Sequence, residues 1–528
     1  MSRILLILAL VALPASGAPE VLGIVNGASY TPAGIPNSGI ARGSIFVVFG
    51  RELGPVDLQS ADTFPLSTNL GGTSVRVTVG TTTVDALMLY TSALQVAAIL
   101  PSATPEGIGF LQVTYNGRTS EAGAFRVVRS WPGVLAQNQA GSGPALAQNF
   151  NSMSDQPRNS LSQPARAGQV VTLWATGLGP VTDNEAMPPI PRDLDLPVQL
   201  YVGGKQAVVQ YKGRSGCCSG VDQIVFEVPS GVSGCSVPVV MQVDTAVSNF
   251  TTIAIADANG NDCSDVTGIS GSSLAKLHGG GTLRIASIVL SVNKFDIVSE
   301  VGAAQFAEIG MATLSNWVPL GMPSTGSCTV GLVRPTTPVF SPPGPITGLD
   351  AGRFLTVTGP KGSRQVLLQG GGVYRETFAT GTVVQFLQPG SYVVDNGSGG
   401  STVGSFQANL SIPADLTSTV QTSPSGTIVT WRGGDPSSYL VIQGIGVSPT
   451  GVTSRFSCVE RASAGQFALP SYVSASLPGS PAGIVVSAAT GFFPGSRFQA
   501  TGLDYGFLSF CSPTSPMCIG NFFYYDDF

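Results

Sequence analysis

The residues able to do covalent chemistry are eight cysteines: Cys217, Cys218, Cys235, Cys263, Cys328, Cys458, Cys511 and Cys518. An even count, with no C-x-x-C spacing, points to disulfides rather than to a zinc site. Cys217 and Cys218 are adjacent. Neighbouring Cα atoms lie about 3.8 Å apart, whereas bridged cysteines usually sit about 4.4–6.8 Å apart. On an extended segment their side chains also leave on opposite faces. The expectation is that one pairs with Cys235 and the other with Cys263, in an order that stays open. A redox-active adjacent pair is the alternative. Cys328 with Cys458 would staple two back-half domains together, and Cys511 with Cys518 would close the C-terminal loop.

Other chemistry is sparse. The single histidine, His278, sits beside Gly279-Gly280-Gly281 in a Gly/Ser-rich stretch, so a Ser-His-Asp or Cys-His nucleophile system has no obvious base. The run Asp257-Ala258-Asn259-Gly260-Asn261-Asp262-Cys263-Ser264-Asp265 begins like a calcium loop. It then departs from one, with Asp262 where the turn glycine belongs and Gly268 where the bidentate Glu belongs. An Asx-turn linker is the plainer reading. Asp296, Glu300, Glu308, Asp350 and Asp504 are the acids available to a glycosidase pair, which would need two of them about 5–9.5 Å apart. Trp174 and Trp431 read as core residues. Trp131 and Trp317, in linker-like surroundings, are the better ligand-stacking candidates. No catalytic, cofactor-binding or metal-binding residue is assigned, and no cofactor is expected.

The elements that would position these residues are β-strands. Glycine (67) and proline (38) are abundant and charged residues make up only 10%, yet 43% of the chain is hydrophobic. That is enough apolar side chain for packed cores, and short runs rich in Val, Ile, Thr and Phe between Gly and Pro turns are strand-like. At roughly 100–150 residues per domain the length suggests about four domains. A net charge of −5 with no basic cluster argues against nucleic acid. Arg3, the apolar run Ile4 to Leu13 and the small residues Pro14-Ala15-Ser16-Gly17-Ala18 read as an export signal, cleaved after Gly17 or Ala18. The run is shorter than the roughly 20 residues that span a bilayer. The aromatic C-terminal tail fits an outer-membrane barrel, but repeated lipid-facing strands are missing.

One pattern recurs. Gly43-Ser44-Ile45-Phe46-Val47-Val48-Phe49-Gly50-Arg51-Glu52-Leu53-Gly54-Pro55 returns as Gly168-Gln169-Val170-Val171-Thr172-Leu173-Trp174-Ala175-Thr176-Gly177-Leu178-Gly179-Pro180. Leu94 to Pro101 likewise returns as Asp222 to Pro229. Each pair reads as one strand and turn used twice, in two homologous antiparallel sandwiches. With Ile24–Tyr30 and Gly213-Arg214-Ser215-Gly216-Cys217-Cys218-Ser219-Gly220-Val221-Asp222-Gln223, these motifs resemble the Solibacter-type family of uncharacterised exported bacterial proteins. That family's paired domains resemble the immunoglobulin-like TIG/IPT sandwich. The resemblance covers about residues 20–256 and implies no catalytic residues.

The expected fold is therefore all-β: tandem immunoglobulin-like β-sandwiches followed by one or two further β-sandwich domains. The expected division is a signal peptide at 1–18, sandwiches at 19–128 and 164–256, and sandwiches at 284–415 and 416–528. A polar linker at 129–163 and a Gly/Ser/Asx-rich linker at 257–283 would separate them. The expected function is binding, adhesion or scaffolding outside the cell or on its surface, with glycans or surface proteins as partners and no integral membrane span. A purely structural spacer and a carboxylate-based glycoside hydrolase are the alternatives.

Overall fold

The computed structural model describes residues 17–511 apart from 37, 259, 295–297, 318–320, 334–345, 415, 425, 437 and 489–496. The export signal, Asp296 and Cys518 fall outside the described residues, as does the side chain of Trp317. The repeated motifs become neighbouring strands. In the first sandwich Ile45–Arg51 pairs antiparallel with Gln95–Ile99, Ile45 opposite Ile99. In the second, Val170–Thr176 pairs antiparallel with Asp222–Glu227. Phe46, Val48, Leu173 and Phe226 from these strands are fully or almost fully buried. Each such side chain contributes roughly 1.5–3 kcal/mol by leaving water.

The first sandwich has two sheets. One runs Glu20–Asn26, Ile45–Arg51, Gln95–Ile99, Leu87–Thr91 and Gln59–Ser60. The other runs Ile40–Ala41, Gly123–Val128, Gly107–Tyr115, Thr73–Val79 and Asn69–Leu70. The short strand Ile40–Ala41 pairs parallel with Gly123–Val128, while its neighbours pair antiparallel. This strand order is that of an immunoglobulin-like sandwich. The second sandwich repeats it, with Val198–Val202, Gly234–Val243 and Thr251–Ile255 in its second sheet.

Residues 129–163 are not a loose linker. Gly133–Val134 and Ala147–Asn149 pair with Val170–Thr176, and Val134, Ala145 and Ala147 lie in the core of the second sandwich. Its Asn and Gln residues, polar enough to read as linker, serve an irregular backbone. Gln137 Nε2 donates to the carbonyls of Ala145 and Asn159, and Asn249 bonds both backbone groups of Val134. Trp131 is likewise buried, with its backbone N–H on the Gly177 carbonyl, so it offers no stacking surface.

The back half does not divide at one point near 415. Leu283–Lys294, Val298–Ile309, five strands between Phe354 and Ile412, and Tyr505–Cys511 share one ten-stranded sheet. The strand Gln407–Ile412 at one end approaches Tyr505–Cys511 at the other, so the sheet curls around its own core. A four-stranded and a three-stranded sheet form the other body, from Ser327–Val333 and from strands between Thr417 and Ala488. Residues 382–387 read as a strand from sequence, yet they form a loop. The buried Glu300 carboxylate takes the backbone N–H of Phe386 at 2.8 Å, and those of Gln385 and Leu387 as well. Donors given to a carboxylate are not available to a sheet ladder.

The two front sandwiches meet at a buried ion pair. Arg214 and Asp222 are 5% and 0% exposed and bond each other directly. The same guanidinium donates to the Gly43 carbonyl of the first sandwich and, at 2.9 Å, to Gly179. Asp222 Oδ2 accepts the N–H of Leu178 at 2.8 Å. Gly43 has φ +72, and a Cβ there would meet Arg214 Nη2 and Ser102 Oγ, so glycine is required on both counts. Burial pushes the Asp222 carboxyl pKa up, while Arg214 and the Leu178 and Gly177 amides oppose it. Removing one member of such a pair strands the other in low dielectric. Arg214→Ala is expected to cost about 3–5 kcal/mol, read as a lowered urea midpoint by circular dichroism. Unchanged stability would mean that water takes over the guanidinium's role.

Candidate functional site

Where the second sandwich meets the back half, residues 257–283 form a packed connector. The helix Gly271–His278 is capped by Ser270, whose hydroxyl accepts the Ser273 N–H. Leu274 and Leu277 bury one face of it against Ile285, Ala307 and Ile309. The chain before the helix is pinned by a Cys235–Cys263 disulfide. The Gly/Ser composition thus hid a two-turn helix with only a few apolar anchors, too few to show a helical period.

This connector leaves two cavities. The larger, about 420 Å³, is walled by Asn159, Thr252 and Ala254 of the second sandwich, by Ala275 and His278 of the helix, and by Met311. The smaller, about 190 Å³, is lined by Ser233, Asp257, Ser264, Met322 and Tyr439, among others. Cys235, Ser236 and Asp265 line both and form the wall between them.

Asp265 is the chemically distinctive residue. It is 8% exposed. Its Oδ1 accepts the Thr267 hydroxyl at 2.6 Å and the Ile269 N–H at 2.8 Å. Its Oδ2 is buried and has no hydrogen-bond partner among the described residues. Burial is the main reason its pKa is pushed up to about 6, against hydrogen bonds that lower it. A half-satisfied carboxylate in low dielectric is an acceptor in want of a donor.

Asp265 belongs to the calcium-like run, but the run does not fold as a calcium loop. Asp257 Oδ2 accepts the Ser264 hydroxyl at 2.7 Å. Asp262 accepts the N–H groups of Cys263 and Ser272. The carboxylates act as separate turn staples, and among the described residues no three His, Cys, Asp or Glu side chains converge on a metal position. His278 is exposed at the rim of the larger cavity.

The remaining candidates are scattered. Glu308 accepts the Thr282 hydroxyl, and Asp504 accepts the Arg284 N–H at 2.7 Å. Asp350 accepts from Ser401 and Gly352, bonds that lower its pKa. With Glu300 committed to its loop, none of these four acids lines either cavity. Trp431 is core, its indole N–H on the Ala462 carbonyl, while Trp174 is half-buried and donates to Gln148.

The cysteines correct the sequence reading in two respects. Cys217 bonds Cys218, and Cys235 takes Cys263 alone. The expected pairing of the adjacent cysteines with two distant partners is therefore not what forms. They lie on an exposed turn rather than an extended segment, which removes the argument from opposite faces. Cys328 bonds Cys458, as expected, but across paired strands of one sheet rather than between domains. Cys511 is disulfide-bonded at the end of the last described strand.

No family model and no curated protein matches the chain. Among solved structures, it is similar to SGBP-B from a complex xyloglucan utilization locus in Bacteroides uniformis, at 9% identity over 86% of this chain and 100% of that one, TM-score 0.17. It is similar to SGBP-B of a Bacteroides ovatus mixed-linkage glucan utilization locus, solved with a mixed-linkage heptasaccharide, at 12% identity over 86% and 93%, TM-score 0.13. Domains 5–6 of the S-layer protein SbsC match at 13% identity over 46% and 99%, TM-score 0.16. At these TM-scores the likeness carries no argument.

The site has a pH signature. A carboxyl whose folded pKa lies above its unfolded value binds its proton more tightly in the fold. Stability is then fully present below the unfolded pKa and falls as pH rises through the folded one. For Asp265 the window runs from the ordinary carboxyl value of 3.8 to about 6, and the loss across it is about 2–3 kcal/mol. In Asp265→Asn this component of the urea-midpoint profile between those pH values is expected to vanish. An unchanged profile would place the titration elsewhere.

Proposed function

We propose that this chain is an exported binding protein of the cell surface or its surroundings, and that its ligand occupies the cavity beside Asp265. The observation that supports this most is the wall itself. Three parts of the chain enclose a space of about 420 Å³ whose wall includes a buried carboxylate with one oxygen unpartnered among the described residues. Enclosed, mixed polar and apolar cavities between domains are where ligands are held. Disulfides fit an oxidising compartment, and with it the export signal read from the first residues. The resemblance to the Solibacter-type exported family agrees with both.

The ligand class favoured is a hydroxyl-bearing one, such as the end of a glycan, because hydroxyls meet the amide and hydroxyl lining. A hydrolase reading has less support, since the four described acids of the back half bind backbone or hydroxyl groups and face neither cavity. A spacer reading draws on the Arg214 lock, which fixes the angle between two sandwiches.

Binding of the oxidised protein to glycan and surface-protein arrays tests the proposal, with Ala275→Trp as the cavity-filling control. Ala275 is half-buried on the helix and lines the cavity, so the indole fills the space without entering a core. The expected result is a bound class lost by at least about tenfold in affinity in the variant, or 1.4 kcal/mol. Binding that survives Ala275→Trp would move recognition to another surface. Absence of binding on every array would favour the spacer.

A further inference from the structure

The pair Cys217–Cys218 has no part in the binding reading. We propose that it is a thiol–disulfide exchange site that takes a dithiol, and that its state sets how firmly the first two sandwiches are locked together.

Access supports the chemistry. Both Cys217 and Cys218 are exposed. Cys235, Cys263, Cys328 and Cys458 are 5%, 0%, 1% and 0% exposed. Exchange requires a thiolate to reach a disulfide sulfur, so accessible bonds react and enclosed ones resist. In the step, a dithiol's thiolate attacks one sulfur of the pair and the S–S bond breaks. The departing cysteine leaves as a thiolate and takes up a proton. The reagent's second thiol then displaces the mixed disulfide. Two electrons pass to the protein, which ends with two thiols, and the reagent ends as its own cyclic disulfide.

Position supports the consequence. The turn carrying the pair joins the strands Val208–Arg214 and Asp222–Glu227, so its two ends are the ion-paired residues. Its inner side presses on the first sandwich. A Cβ on Gly220 would lie 2.7 Å from Ile45 and 2.9 Å from Ile99. Thr176 Oγ1 donates to the Gly220 carbonyl at 2.6 Å and accepts the Ile45 N–H at 3.0 Å. The buried Ser215 hydroxyl accepts the Cys217 N–H at 3.0 Å and donates to its sulfur. The turn is a wedge between sandwiches with its reactive sulfurs outside. A bond between adjacent residues closes a small ring around their shared peptide unit and holds its dihedrals. Opening the ring frees them, and the entropic cost of keeping the wedge seated rises.

The full-length oxidised protein can be titrated with dithiothreitol, alkylated with iodoacetamide and mapped by peptide. Cys217 and Cys218 are expected to be labelled before any of Cys235, Cys263, Cys328 or Cys458. In the same samples, hydrogen exchange of the Ile45 amide, which bonds across the junction, is expected to quicken about tenfold. The Cys217→Ser/Cys218→Ser double variant should show that faster exchange without reductant. Labelling of a buried pair first would overturn the exchange site. Selective labelling with Ile45 exchange unchanged, in both the reduced protein and the variant, would overturn the lock.

Discussion

The buried pair of Arg214 and Asp222 is the interaction on which the front half depends. Taking two charges out of water is costly, and their attraction offsets that cost only when every remaining donor and acceptor is served. Here they are served by backbone from both sandwiches. Gly43 and Gly179 give carbonyls to the guanidinium, and Leu178 gives its N–H to the carboxylate. Gly43 opens the first copy of the repeated motif, whereas Leu178-Gly179 closes the second. The duplication thus supplies its own joint, one end of each copy meeting through a single arginine. Glu185 adds a second layer by accepting both the N–H and the hydroxyl of Ser102 across the same junction. Burial raises the Glu185 pKa while those bonds and Arg214 oppose it, so protonation would weaken the layer closest to the pair.

What could be read from the sequence was whatever rests on local alternation. Thr73–Val79 alternates buried with less buried residues along its whole length, and its pattern is plain in the letters TSVRVTV. The repeated motifs could be matched because the same apolar positions recur, and they proved to be hydrogen-bonded neighbours. What could not be read depended on partners distant in the chain. Val134 and Ala147 are too isolated to announce strands, and they enter two short ones because Val170–Thr176 offers an edge. Residues 382–387, Thr-Val-Val-Gln-Phe-Leu, have a strand-like composition, yet Glu300 claims their donors. In the back half the parallel return of Tyr505–Cys511 onto Leu283–Lys294 joins the two ends of the segment, and no local pattern encodes such a pairing.

The candidate site was legible only as a suspicion. The Asp257–Asp265 run drew attention through its spacing, but for calcium. Its acids instead hold turns, and the informative one is the last. Asp265 matters through what does not reach it, and an unpartnered oxygen is invisible without the fold.

That oxygen follows from the geometry of the junction. The second sandwich and the back half meet here with two cavities between them. The connector of residues 257–283 is what fills the junction, with a short helix and a disulfide in place of a sheet. A helix of two turns covers only one side of the gap. On the other side the Asp265 turn must supply its own hydrogen bonds, and it does so through Oδ1, Thr267 and Ile269. Both donors approach from the helix side, along the chain that leads into Ser270. Oδ2 is left without a hydrogen-bond partner among the described residues. An apolar residue at position 265 would remove the cost of the buried charge but would also release the turn that presents the helix. The carboxylate is held by its structural oxygen, and the other stays buried with no hydrogen-bond partner among the described residues.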